Sequence, residues 1–320
     1  MNKIYKYMKF RPDFFKKPSL RLSQRCALND PFELSPDQDT LDKILEDAHR
    51  EDFFQQISEY ASDEGFDDTG IISFTESYNN LLMWSHYADE HKGIVIEFDY
   101  HVLKTHFNKI LSVSNSIERV LYNRERHEAL PYTTLPKRNL LTKSDDWIYE
   151  KEHRVITKVS NADYFIINKE AYEYILDFYD ESYLELLNVE KYKGMIKISI
   201  NHQACHLMDQ QEKDGSSTDD MEEMRFSPSN TILNELLSFI AAAPTSIFLF
   251  DIPIECITGI FLGCRLTESD KSTLREVACE NTLFNRIPCY QASLSKHQFA
   301  LIFEETYHSC STTCTDLVIT

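Results

Sequence analysis

The stretch "WIYEKEHRVI", residues 147–156, sets two glutamates one residue apart behind a tryptophan and a tyrosine and ahead of an arginine. As a β-strand its side chains alternate between faces, so Glu150, Glu152 and Arg154 point the same way. Two carboxylates about 7 Å apart on one face repel unless something neutralises or uses them. Arg154 decides between two readings. In a tight ion pair with Glu152 it closes that carboxylate; turned aside, it leaves an open acid. The plainer alternative is an exposed charged strand with Arg154 as cross-face partner.

Working outward, "TGIISFTES" (69–77) is a strand of β-branched and aromatic residues. Ser77 is placed to cap a helix over "YNNLLMWSHYADEH", with His91 and Lys92 in its last turn and Gly93 at C′. "GIVIEFD" (93–99) is a further strand, followed by a helix near 100–111 and the strand-like "ERVLY". Upstream, "KIYKYMKF" opens the chain as a strand. "SLRLSQRCALNDPFE" gives a short strand and a loop in which Asn29-Asp30-Pro31 turns, Asp30 bonding the backbone. Residues 38–63 are acidic with helical apolar spacing.

Downstream, 168–192 is tyrosine-rich and helical, "GMIKISI" a strand, 209–230 an acidic exposed loop and "NTILNELLSFIAAA" a helix. "CITGIFLG" is a buried strand, "TESDKSTLREVACEN" a capped helix and "IPCYQASLSKHQFALIFEE" two closing strands. The pattern is α+β. It predicts one domain over 1–320, with core motifs in 1–160, closing strands in 250–305 and a helical insertion at 160–250.

Composition excludes several classes. At 320 residues and 42% hydrophobic, the chain can bury a substantial core, so disorder is not the reading. The 7 glycines form neither G-x-G-x-x-G nor a P-loop, which removes the familiar glycine-based phosphate cradles. A net charge of -19 opposes binding to a polyanion, although 124–143 is a basic window. No run approaches the roughly 20 apolar residues of a membrane span, and the N-terminus lacks a signal core, so the expectation is a cytoplasmic protein with reduced cysteines. His202, Cys205 and His206 in "HQACH", and His308, Cys310 and Cys314 in "HSCSTTC", lack paired C-x-x-C spacing, so no metal is expected.

Three segments together, the lysine and tyrosines of the first strand, "SFTES" with the aromatic helix after it, and the Glu-x-Glu strand, resemble the ADP-ribosyltransferase fold, a split β-sheet with flanking helices. The wording of "NDPFE", "LLMWSHYADEHKGIVIEFD" and "WIYEKEHR" also resembles an uncharacterised bacterial family of phage-defence and abortive-infection loci. The transferase resemblance implies NAD as substrate, with Glu152 as the main catalytic carboxylate and Glu150, Ser73 and Tyr87 in support. Lys6, Tyr7, Arg11, Asn29, Trp84 and His86 would lie on the dinucleotide side. Cleaving the nicotinamide–ribose bond passes through an oxocarbenium-like state, which a positioned carboxylate stabilises.

The acidic surface favours a protein or small-molecule acceptor over nucleic acid, and a toxic activity implies a defence-system partner or antitoxin. Trp84, spaced with Leu81 and Ala88, reads equally as core. His86 reads as a structural histidine. Two alternatives stand beside the enzyme. One is a non-catalytic module sensing a nucleotide or phage protein. The other is a nuclease holding magnesium with Asp30, Glu33, Glu97 and the glutamate pair. The sequence does not fix the oligomeric state.

Overall fold

The computed structural model describes residues 1–33, 69–125, 140–215, 228–281 and 283–307. The acidic helix expected at 38–63, much of the basic window, the centre of the acidic loop and the terminal "HSCSTTC" lie outside them.

The strands are β1 (Lys3–Met8), β2 (Ser19–Gln24), β3 (Thr69–Thr75), β4 (Ile94–Asp99), β5 (Ile117–Arg119), β6 (Leu121–Asn123), β7 (Thr142–Ser144), β8 (Glu152–Lys158), β9 (Tyr164–Ile167), β10 (Leu187–Tyr192), β11 (Met195–Ile200), β12 (Ile247–Asp251), β13 (Ile257–Leu262), β14 (Cys289–Leu294) and β15 (Leu301–Tyr307). The helices are α1 (Pro12–Lys16), α2 (Leu81–Tyr87), α3 (Tyr100–Ile110), α4 (Lys169–Phe178), α5 (Glu181–Leu184), α6 (His202–Gly215), α7 (Pro228–Ala242) and α8 (Glu268–Glu280). This is an α+β fold around a mixed, mostly antiparallel sheet ordered β10-β11-β9-β12-β2-β3-β1-β4-β13-β14-β15, with β8 and β5 added beside β3.

Residues 160–250, expected as a helical insertion, contribute β9 to β12 to this sheet as well as four helices. Long apolar runs mark the central strands: Ile94, Val95, Ile96 and Phe98 are buried without alternation because both faces of β4 are covered. Phe74, Phe98 and Phe107 pack edge to face where α3 crosses the sheet.

Two local expectations need correction. Helix α2 starts later than Ser77, because Asn80 is the N-cap and accepts from the backbone N–H groups of Leu82 and Met83. It also ends at Tyr87, since Asp89, Glu90 and His91 all take positive φ. Gly93 is therefore no helix cap. A Cβ there would sit 2.3 Å from the Met8 carbonyl oxygen, so close backbone approach explains the glycine.

The feature that positions the site is a split in the sheet. One edge of β3 pairs with β8 along its whole length. On its other edge, Gly70 and Ile71 pair with Gln24 and Ser23 of β2, whereas Thr75 pairs with Tyr5 of β1. β1 and β2 thus diverge, and Ser73 is left between them without a strand partner on that edge. The Lys6 ammonium fills the gap, donating to the Ser73 carbonyl at 2.7 Å.

Candidate active site

A cleft of about 200 Å³ opens at this split, lined by β1, β2, β3, α2 and the loop after β2. Lys6, Tyr7, Asn29, Ser73, Tyr87, Glu150 and Glu152 all border it, from segments as far apart as residues 6 and 152. Trp84 and His86 stand outside it. Trp84 is fully buried, with its indole N–H donated to the Tyr78 carbonyl and its ring edge-on to Tyr7. His86 is exposed on the far side of α2. Arg11 does not border the cleft; it donates to the Ser19 carbonyl.

The stretch "WIYEKEHRVI" is not one strand. Asp145–Glu150 form a 3₁₀ turn capped by Ser144, Lys151 takes a left-handed φ of 46°, and the strand begins at Glu152. Glu150 still faces Glu152 because the turn curls it back into the cleft, and Thr75 anchors it by donating its hydroxyl to the Glu150 carbonyl. In the β3–β8 register Ser73 lies opposite Arg154 and Thr75 opposite Glu152. The serine strand and the glutamate strand therefore share a face.

Arg154 makes the tight pair. Its Nε and Nη2 reach the two oxygens of Glu152 at 2.8 and 2.9 Å, and Nη2 also meets Glu33. Lys143 lies 2.7 Å from Glu150, 3.3 Å from Glu152 and 3.4 Å from Glu33. All five side chains are buried. Burial strips each of hydration, and the pairing among them offsets that cost.

The two glutamates are driven apart. Burial would raise Glu152, but Arg154, Lys143 and a Ser73 hydrogen bond outweigh it and hold its carboxyl down at about 2. Burial wins at Glu150: its carboxyl is raised, with Lys143 opposing and the Glu152 charge adding. The Tyr87 hydroxyl donates to Glu150, and burial beside that carboxylate pushes the phenol up; Asn29 also bonds the phenol. Burial lowers the Lys6 amine to about 8, with Glu152 opposing and the nearby Arg11 and Arg21 adding.

Lys143 and Tyr122 had no place in the sequence-based site, and Glu33 entered it only as a magnesium ligand of the nuclease alternative. Lys143 sits on a three-residue strand, with its ammonium 4.8 Å from the Trp147 ring centre, and the Tyr122 hydroxyl accepts from the Glu152 N–H. Their only signal was compositional: a lysine ending the basic window and a glutamate ending "NDPFE". Asp30 makes the expected turn, accepting from the Phe32 N–H. Glu97 is held elsewhere by Lys3 and Thr258.

Comparison with known families adds one finding. A family model described as "Protein of unknown function (DUF2971)" matches residues 83–155, which run from α2 through both glutamates to β8. No curated protein and no solved structure matches the chain.

Proposed function

We propose that the cleft is the active site of an NAD-consuming, ADP-ribosyltransferase-like enzyme, a transferase or NAD glycohydrolase serving as an effector in bacterial anti-phage defence. The observation that carries this reading is the pair of carboxylates with opposed ionisation at one cleft, bordered by the serine strand and by Tyr87. The defence setting rests on the sequence resemblance alone.

The roles shift from those expected. Both oxygens of Glu152 are engaged by Arg154, so Glu152 acts as a fixed negative charge that favours a cationic ribosyl group and holds the strand end in place. Glu150 is the carboxyl suited to exchange a proton, since its raised affinity for one brings it nearer to working pH. It is the group that would hold a ribose hydroxyl or take the proton of an acceptor. Tyr87 orients it.

A non-catalytic sensor is the second reading, favoured by the same Arg154 pair, because a fully neutralised Glu152 suits binding without turnover. A magnesium nuclease has less support. Glu33, Glu150 and Glu152 are each engaged by a cationic side chain, and no cluster of three or more metal-type ligands forms among the described residues.

Incubation with NAD while following free nicotinamide tests the proposal. Wild type should release it and Glu150→Gln should lose at least about a hundredfold in rate, the ordinary contribution of a proton-transferring carboxyl. Binding of NAD without release would move the assignment to the sensor.

A further inference from the structure

Two lysines border the cleft, and their surroundings treat them differently. Lys143 stands within 3.4 Å of Glu33, Glu150 and Glu152. Burial would lower its amine, but these carboxylates outweigh burial and hold it above the ordinary lysine range. Lys6 forms no ion pair with a carboxylate among the described residues. Its amine donates to the Ser73 carbonyl at 2.7 Å, in the gap where β1 and β2 diverge. Glu152 and Glu150 act on it across the cleft, yet their oxygens are already engaged. Arg154 and Lys143 hold Glu152, while Lys143 and Tyr87 hold Glu150.

A carbonyl acceptor does not require a charged donor. A neutral amine can give one N–H to the Ser73 oxygen and keep its lone pair free, whereas an amine caged by carboxylates stays an ammonium. Burial already brings Lys6 down to about 8, so a useful share of it is neutral near pH 7. Lys6 is half-buried rather than sealed, so a ligand in the cleft can reach it. A desolvated lysine with a free lone pair is the nucleophile of Schiff-base chemistry. That chemistry also needs an acid to protonate a departing hydroxyl. Glu150, whose proton affinity is raised, borders the same cleft.

The lining narrows the carbonyl compound. Ser23, Asn29, Thr75 and Tyr87 offer hydroxyl and amide groups, which suit a hydroxylated ligand. Three glutamates against Lys143 and Arg154 repel an acidic one. We infer that Lys6 is a nucleophilic amine that condenses with the aldehyde carbon of an open-chain reducing sugar held in the cleft. The amine nitrogen adds to the carbonyl carbon to give a carbinolamine. The hydroxyl then leaves as water, with a proton supplied by Glu150, and the imine remains. One amine and one aldehyde give one imine and one water, with no oxidant or reductant. The source of the sugar rests on the proposed function: hydrolysis of the nicotinamide–ribose bond frees C1 of the ribose, which is the same aldehyde once the ring opens. Lys6 thereby captures the product made by the neighbouring glutamates.

D-ribose is the probe, incubated with the full wild-type chain and cyanoborohydride, which reduces an imine to a stable secondary amine. Peptide mass mapping reads the site, so no variant has to fold. Near pH 7 Lys6 should be labelled at least about tenfold faster than exposed lysines such as Lys9 and Lys16, the advantage of an amine lowered from the ordinary value of about 10.4. Its labelling should level off above about pH 8, and Lys143 should take no label. Labelling of Lys6 no faster than that of the exposed lysines overturns the inference. Glycolaldehyde, a hydroxylated aldehyde, should label Lys6 faster than glyoxylate, an acid of the same size, and the reverse order overturns the sugar. Selective labelling of Lys6 in a protein that releases no nicotinamide from NAD supports the amine while sinking the glycosidic proposal. Nicotinamide release without selective labelling leaves that proposal standing and overturns this one.

Discussion

Two regions flank β1 and solve burial in opposite ways. On the α2 side, Tyr5, Tyr7, Trp84, Phe261 and their neighbours form a wall of rings, with Tyr78 stacked 4.6 Å from Phe261 and Trp84 edge-on 5.4 Å from Tyr7. In the cleft, Glu33, Lys143, Glu150, Glu152 and Arg154 are buried to a similar degree, yet every one is a charged group. The ring wall gains free energy simply by leaving water. The charged cluster loses hydration and recovers it only through pairing, so a structure selected for stability alone would have no reason to assemble it. A cluster of that kind beside a cleft points to work done on a ligand.

The contrast breaks most directly at Trp84. Trp84→Ala should cost about 3–5 kcal/mol of stability, the usual toll of emptying an aromatic core site. Urea unfolding measures it. A loss below about 1 kcal/mol would mean that the ring wall is not a packed core.

Arg154 makes the opposite kind of loss. Arg154→Met leaves Glu33 and Glu152 buried with Lys143 as their remaining cation, at a cost of about 3 kcal/mol. The double variant Arg154→Met/Glu152→Met should recover most of it, because the unpaired charge rather than the missing contact is the penalty. Trp84→Ala has no such rescue. If the double variant is as unstable as the single, the cluster is ordinary packing and the comparison fails.

Much of this was legible in the sequence, and the remainder shows where sequence stops. Strand alternation grouped Glu150 with Glu152, and the transferase resemblance joined Ser73 and Tyr87 to them; β3 and β8 do pair in the register that places serine beside arginine. The break at Lys151 was not legible: a left-handed lysine between two glutamates depends on the capping of the preceding 3₁₀ turn, which no period-two pattern encodes. That Lys143 and Glu33 meet the glutamate pair was hidden for a different reason. Each sits on a short segment whose place is set by long-range pairing, so only the folded chain brings them within 3.4 Å. Trp84 had two valid readings, and burial chose the core.

The smallest effect separates the two glutamates by the sign of their pH dependence. Glu152 is depressed from 4.5 to about 2, so its contribution is full above pH 4.5 and is lost as pH falls toward 2. Glu150 is raised, so the stabilisation from its protonated form is present below 4.5 and lost as pH rises through its folded value. Glu152→Gln should therefore destabilise at neutral pH and converge on wild type in acid. Glu150→Gln should match wild type in acid and equal or exceed it near neutrality, by up to about 1 kcal/mol, since the amide keeps an acceptor for Tyr87 without the cost of a buried charge. Thermal melts from pH 3 to pH 8 measure both slopes. Parallel slopes for the two variants would show that the carboxylates share one environment, and Glu150 would then have no better claim to the chemistry than Glu152. Opposite slopes, together with loss of nicotinamide release in a Glu150→Gln protein at least as stable as wild type, would mark a residue kept for its reaction at the expense of the fold.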